Sequence, residues 1–500
     1  MLGNPPWERI KLQEEEFFAQ RDPQIATAPN KSARQKLINA LTEGNPVLAG
    51  AFSEAKHHAD ATNKFIQASR SFVLTATGDI NTYALFAELG RNLLSNIGKM
   101  GLIVPTGIAT DDNTKQFFND IVSKGELSSL FDFENREGLF PGVHRSYKFC
   151  LFSISKSQVK NAKFIFFATR PEHLNDFRRV FTLTFDQVSL LKPNTRTAPI
   201  FRTKNDAELT TKIYKRVPVL FNEALHVNHW GIQVRQGLFH LTNDLRDEVI
   251  FDKSAIALSD DFIPLYEAKL MWQYDHRFAS YNLAGNKVSE NPEEISLVDK
   301  QNPDKFVTGR YYVKDSILQT KIPETYKPSW FIAYRDVTNA TNERTTIATI
   351  FPRYGVAYTL RVATAFSVEP KELSCFLANI NSIVFDYLAR QAIGGMHLSD
   401  HIMKQLPVLP PSTYTPADID FIAPRVLELV YTAHDLRPFA EDMGYHGEPF
   451  RWDEVRRAQL RAELDAYYAR LYGLTRDELR YILDPKEVHG EDFPAKRSAC

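Results

Sequence analysis

Met1-Leu2-Gly3-Asn4-Pro5-Pro6-Trp7 opens the chain and sets an amide, two stiff prolines and a flat aromatic side by side. Proline restricts the backbone and removes N–H donors that would compete. The Asn4 amide oxygen and the carbonyl that follows it can then both accept hydrogens from the exocyclic amine of a planar base, and Trp7 can stack on the ring. Holding those two hydrogens turns the nitrogen lone pair out of conjugation and toward an electrophilic methyl group. No general base is needed before attack, so positioning and electrostatics carry the step. In a duplex the amine is hidden in the stack, so the nucleotide must first be rotated out. The plainer reading of the same residues is an Asn-Pro turn at a floppy amino terminus.

The stretch resembles the Asn-Pro-Pro-aromatic motif of DNA adenine amino-methyltransferases. The longer run Leu2-Gly3-Asn4-Pro5-Pro6-Trp7-Glu8-Arg9-Ile10-Lys11 is similar to the large type IIG restriction-modification methylases. That resemblance implies that the motif follows the fourth strand of a Rossmann-like sheet, with Asn4, Pro5, Pro6 and Trp7 as the expected catalytic set. Two further runs match in order. Asn81-Thr82-Tyr83-Ala84-Leu85-Phe86 resembles the family's motif near the cofactor pocket, so Asn81 and Tyr83 are expected close to the cofactor. Gly138-Leu139-Phe140-Pro141-Gly142-Val143-His144-Arg145 resembles its late loop, which implies that Phe140 braces the extruded base; Arg145 reads either as a phosphate contact or as a plain surface arginine. His144 is not taken as a catalyst, because amine methylation needs no acid–base pair.

Five hundred residues, 43% hydrophobic and 12% aromatic, suffice for two or three packed domains. Lys+Arg 60 against Asp+Glu 61 leaves a net charge of -1, so a nucleic-acid partner would have to be met by a local patch. Cys150, Cys375 and Cys500 are widely spaced and form no CxxC pair, which argues against a disulfide framework and a zinc ribbon and fits a reducing cytoplasm. No apolar run is long enough for a membrane span, and the start lacks the order of a signal peptide. A soluble, cytoplasmic protein with no membrane partner and no metal is expected.

Along the chain, residues 8 to 70 read as a polar helical insertion or lid. Residues 79 to 105 read as a helix with an apolar face of Tyr83, Phe86, Leu89, Leu93 and Ile97, then a buried strand Leu102-Ile103-Val104-Pro105. A helix over about 114–122 and strands over 127–133 and 147–154 follow. This order suits the second half of a doubly wound sheet. Pro193 and Pro199 mark a linker.

The segment from Gln301 to Gly355 carries eight Lys+Arg against five acids, alternating with aromatics, which suits a groove for phosphates and bases. The runs Tyr334-Arg335-Asp336-Val337-Thr338-Asn339-Ala340-Thr341-Asn342-Glu343-Arg344-Thr345 and Gly394-Gly395-Met396-His397-Leu398 look like the methylases' target-recognition region. Arg335, Asn339, Asn342 and Arg344 are therefore expected at DNA. Asp260-Asp261 before Glu267-Ala268-Lys269 could hold magnesium for cleavage. That tripeptide recurs at Glu54-Ala55-Lys56, and its surroundings resemble the recognition region, so no nuclease is expected there. The last hundred residues read as helical, with Thr415-Pro416 as an amino-terminal cap, Thr475-Arg476-Asp477-Glu478 as a capping box, and a packing face of Leu460, Leu464, Tyr467, Tyr468 and Leu471.

The fold expected is α/β. Residues 1–190 would form the second half of a Rossmann-like class I methyltransferase sheet, 191–410 a mixed α+β target-recognition domain, and 411–500 a helical carboxyl-terminal region. The resemblance also implies upstream parts, a glycine-rich turn and an acid that bind S-adenosylmethionine, and these have no counterpart in the chain. The expected function is thus methylation of the exocyclic amine of a flipped adenine in double-stranded DNA, in a restriction-modification or phage-defence system. The enzyme would be split or truncated, with the cofactor half supplied by another chain. The abrupt end, Ala495-Lys496-Arg497-Ser498-Ala499-Cys500, favours truncation. The alternatives are a non-catalytic DNA-binding specificity module and an amino-methyltransferase for protein glutamine or RNA.

Overall fold

A computed structural model describes residues 1–255, 261–284, 287–339, 342–393 and 396–486. Asp260, Ala340, Thr341, Gly394, Gly395 and the Ala495–Cys500 end lie outside the described residues. The chain divides into two compact units, Met1–Asn205 and a second beginning at Asp206.

In the first unit, strand β1 (Leu2–Gly3) is followed by four helices, α1 (Glu14–Ala19), α2 (Pro23–Ala26), α3 (Lys31–Gly44) and α4 (Pro46–Ala68). The polar stretch 8–70 is more than a solvated insertion, since Phe18, Ile25, Ile38 and Leu41 form a small core there. Then come α5 (Thr82–Asn92), β2 (Lys99–Val104), α6 (Gly107–Thr110), α7 (Lys115–Ser123), β3 (Leu127–Glu134), β4 (Lys148–Ser155), β5 (Ala162–Ala168), β6 (Phe181–Leu183) and α8 (Phe185–Leu191). The helix-and-strand order expected over 79–155 is met to within a few residues. β2 alternates buried and half-exposed positions, as a strand covered on one face should.

The strands form one sheet in the order β1-β2-β4-β3-β5-β6. β1 is parallel to β2 and β3 to β5, whereas β4 runs against both its neighbours and β6 against β5. The carboxyl ends of β1, β2, β3 and β5 therefore share one edge with the starts of β4 and β6. In open α/β sheets this edge is where ligands bind.

The face expected for α5 is corrected. Tyr83 is buried, but Phe86, Leu89, Leu93 and Ile97 are 48%, 42%, 67% and 80% exposed. The inward positions are Ala84, Leu85 and Ala87 together with Glu88 and Arg91. Glu88 accepts from the Leu74 N–H and the Thr75 hydroxyl, while Arg91 pairs with Asp120 and Glu126 at 2.6 Å each. Buried charges tied by such partners can displace apolar residues from a packed face.

The Pro193–Pro199 stretch is also not a loose linker. Thr195, Thr197, Ala198, Pro199 and Phe201 are buried, and the Ala198 N–H donates to the Ala109 carbonyl. Lys192 is half-buried with its amine enclosed, and burial pulls its pKa from the ordinary 10.5 to about 8. Between those values the unfolded chain holds a proton that the folded chain has lost, so stability should rise as pH climbs from about 8 toward 10.5. Lys192→Met is expected to melt several degrees higher at pH 7, with the gain shrinking by pH 10. Calorimetry at both pH values checks this.

The second unit holds two four-stranded sheets. One is antiparallel, with the order 348–352, 330–335, 360–364, 233–236. The other has the order 355–356, 262–266, 311–314, 250–252. Their shared core includes Leu265, Val313, Phe331, Ala333, Phe351 and Leu360. Helices Pro416–Val430 and Arg476–Leu483 begin with capping boxes from Thr415 with Asp418 and Thr475 with Glu478. On Glu454–Leu471 the expected face buries Leu460, Leu464 and Tyr468. Arg457 departs from the expected solvated charges, for it is buried against the Leu429 and Tyr274 carbonyls and stacks over Trp452.

One guanidinium ties this unit together. Arg277 is fully buried and donates to the carbonyls of Lys300, Asn302, Lys305 and Thr432 at 2.8–2.9 Å.

Candidate functional site

The opening motif leaves the carboxyl end of β1 and is fastened to the start of α5. The Thr82 hydroxyl donates to the Pro6 carbonyl at 2.6 Å and accepts from the Glu8 N–H at 3.0 Å. The Thr82 N–H donates to Glu8, and the Ile10 N–H to Ile80. Among the described residues, nothing donates to the Pro5 carbonyl, and the exposed Asn4 amide makes no hydrogen bond. Thr82 thus occupies the second proline carbonyl and leaves the first open. Asn81 caps α5 by accepting from the Tyr83 N–H, and burial raises the buried Tyr83 phenol well above its usual range.

Trp7 lies half-buried against the Phe133, Phe149, Ile165 and Ala168 cluster and stacks on Tyr147, with centroids 6.0 Å apart and 15° between planes. Its buried indole N–H has no hydrogen-bond partner among the described residues. Phe140 meets Phe149 edge to face at 5.0 Å, and Phe149 stacks on Phe133 at 5.4 Å. Trp7 and Phe140, distant in sequence, are thereby joined to one aromatic cluster at the shared strand edge.

The Phe140 loop is built by Asn135, which sequence reasoning missed. Its buried side chain donates to the carbonyls of Phe140 and Val143 and accepts from the Phe140 N–H. The only hint in the sequence is an Asn directly after a strand, where its amide can bond nearby backbone. Arg145 folds back onto the Arg136 carbonyl, over Gly138 at φ 74°, where a Cβ would collide with the guanidinium. His144 bonds Ser146.

Residues 52–140 match the Eco57I restriction-modification methylase family. The resemblance read from the motifs is to this methylase class, and the matched segment holds Asn81, Thr82, Tyr83, Asn135 and Phe140. No curated protein matches the chain in sequence. Among solved structures, the type IIG restriction endonuclease BpuSI is similar at 14% identity and TM-score 0.26, over 89% of this chain and 53% of that one. The type IIL restriction-modification enzyme MmeI, solved with DNA, is similar at 8% identity and TM-score 0.38, over 81% and 51%. A type I restriction-modification methyltransferase subunit from Streptococcus thermophilus is similar at 13% and TM-score 0.22, over 27% and 33%. The chain spans about half the length of BpuSI and MmeI.

In the second unit, the two runs that resemble the methylases' recognition region come together. The Thr338 N–H donates to Met396, the Leu398 N–H to Asp336, and Val337 bridges His397. Arg335 is turned inward, donating to the Met271 carbonyl and lying 4.9 Å over Trp272, and burial lowers its pKa to about 10. Arg344 pairs with Asp465 at 3.3 Å. Asn339 is half-buried, and Asn342 is exposed. Asp261 and Glu267 sit at opposite ends of the 262–266 strand, and Glu267 is engaged by Tyr281 and Lys269.

Thr82→Val removes both hydrogen bonds from the hydroxyl to the motif. It is expected to speed amide hydrogen exchange in the Pro6–Ile10 segment about tenfold, an order set by one or two hydrogen bonds, while Thr82→Ser restores the slow rate. Comparing rates with melting curves for both variants separates positioning from general destabilisation.

Proposed function

We propose that the first unit grips the exocyclic amine of an adenine turned out of duplex DNA, as the acceptor half of a restriction-modification methyltransferase. The observation that carries this reading is the shared aromatic cluster. It brings Trp7 and Phe140 to one edge of the sheet, beside an Asn4 amide and a Pro5 carbonyl that are both open. Two acceptors and two flat faces suit a purine bearing an NH2 group. The unpartnered indole N–H of Trp7 is a further group awaiting a partner.

Asn4 and Pro5 would accept the two N–H hydrogens, which aims the nitrogen lone pair at an incoming methyl carbon; the S–C bond to that carbon would break as the N–C bond forms, and the amine proton would pass to solvent. S-adenosylmethionine would supply that carbon as a sulfonium-bound methyl group. Asn81, which caps α5, and Tyr83, buried beside it, are read as the cofactor-proximal pair through the helix start they fix. The glycine-rich turn and acid that would hold most of the cofactor are read as belonging to a separate element. The outer position of β1 and the exposed apolar row on α5 support such a covering element. In the second unit, the joined 334–345 and 396–398 runs are the proposed reader, with Asn339 and Asn342 better placed than Arg335 and Arg344 to reach a base edge.

The test is binding to duplexes with one nucleotide opposite an abasic site, which lowers the cost of extrusion. Adenine should bind about tenfold tighter than unsubstituted purine, the order expected for two hydrogen bonds. Equal affinity, or a preference for RNA or peptide, would remove the reading.

A further inference from the structure

Between Arg136 and Lys204 the sequence carries thirteen Lys and Arg against four Asp and Glu, in a chain whose net charge is -1. Much of that excess collects beside the aromatic cluster. Phe167, at φ 60°, lies where the pairing of β3 with β5 slips, and its N–H is held by the buried Asp132 carboxylate. Left-handed backbone is costly for an aromatic residue, and bulges often re-aim side chains next to functional sites. Lys148 and Arg202 both approach the Phe167 ring, at 5.1 and 4.3 Å.

Beyond β5 the chain loops back to the same place. The Thr169 hydroxyl donates to Glu137, Arg170 donates to His173, Asp176 binds Arg178, and the Lys204 N–H returns to the Arg178 carbonyl. Arg136, Lys148, Arg170, Arg178, Arg179 and Arg202 gather there around three engaged acids, Glu134, Glu137 and Asp176. Arg179 Nε lies 3.6 Å from the Asp176 carboxylate, and its buried Nη1 has no hydrogen-bond partner among the described residues. Burial and then Arg179 and Arg170 lower the pKa of His173, and burial lowers that of Arg179 although Asp176 opposes it. Phe177, at the tip, is 80% exposed.

This face sits on the edge that carries the motif, for Leu174 and Val180 pack with Trp7 on the same cluster. We propose that it is a phosphodiester-binding surface, with Lys148, Arg170 and Arg178 holding the duplex backbone beside the base pocket and Phe177 lying against a sugar or base. The proposal rests on the nucleic-acid reading above. Its sign is sequence-independent affinity, because bonds to phosphate carry no sequence information.

The experiment measures binding of the full chain to a fluorescent duplex of arbitrary sequence across a salt series. Lys148→Gln with Arg170→Gln is expected to weaken binding about tenfold and to reduce the log–log salt slope by about 2, one for each phosphate no longer neutralised. Lys160→Gln with Lys163→Gln removes the same charge near the opposite strand edge and should leave the slope unchanged. Phe177→Ala should weaken binding without altering the slope. Circular dichroism melting confirms that each variant is folded. An unchanged slope in the first pair, or an equal loss in the second, overturns the proposal. If the preference for adenine over purine persists in that case, this inference alone falls. Absence of any duplex binding by the unaltered chain would end both.

Discussion

Asn4→Ala should abolish the preference for adenine over unsubstituted purine. In the assembled enzyme it should lower methyl transfer by about 100-fold or more, the usual loss when one preorganised hydrogen bond to the reacting atoms is deleted. The Asn4 side chain is exposed and makes no hydrogen bond among the described residues, so the folded state loses little, within about 0.5 kcal/mol. A deep loss of discrimination with an unchanged melting curve is therefore the expected pair of results. Trp7→Ala should weaken adenine and purine alike, because stacking does not distinguish the amine. Asn4→Ala retaining the adenine preference would show that the amine is held elsewhere.

The largest expected effect on stability is at Arg277. Truncation to alanine strands four carbonyls, and each unsatisfied buried acceptor costs about 1–3 kcal/mol, so a loss of about 4 kcal/mol or more is expected. Lysine keeps the charge but not the planar fork, and should recover only part of that loss. Urea denaturation followed by a probe in the second unit measures it. A change below about 2 kcal/mol would mean that the segments around Lys300 and Thr432 hold themselves in place.

The order of elements in the first unit was legible because strands and helices leave different periods in a sequence, and two of the three matching motifs follow strands while the third opens α5. What each helix face buries was less legible. On α5 the apolar spacing pointed to Phe86, Leu89 and Leu93, but those are exposed, and Glu88 and Arg91 are buried beside Ala84, Leu85 and Ala87, held by Thr75, Asp120 and Glu126 from other segments. Periodicity cannot report partners so far along the chain. The alternation of Arg with aromatics around Arg335 suggested a groove, whereas here the guanidinium packs on Trp272 inside the fold. Thr82 and Asn135 shape the candidate site through side-chain hydrogen bonds, two and three respectively, that only the folded chain displays. The basic stretch after Arg136 was visible in a charge count, but only folding shows which of its residues gather at Phe167.

The outward-facing row on α5 ties this polypeptide's survival in a cell to its company. Phenylalanine and leucine side chains presented to water in a line are what chaperones bind and proteases follow, so an uncovered molecule should be short-lived. Abundance would then follow how completely that row is covered.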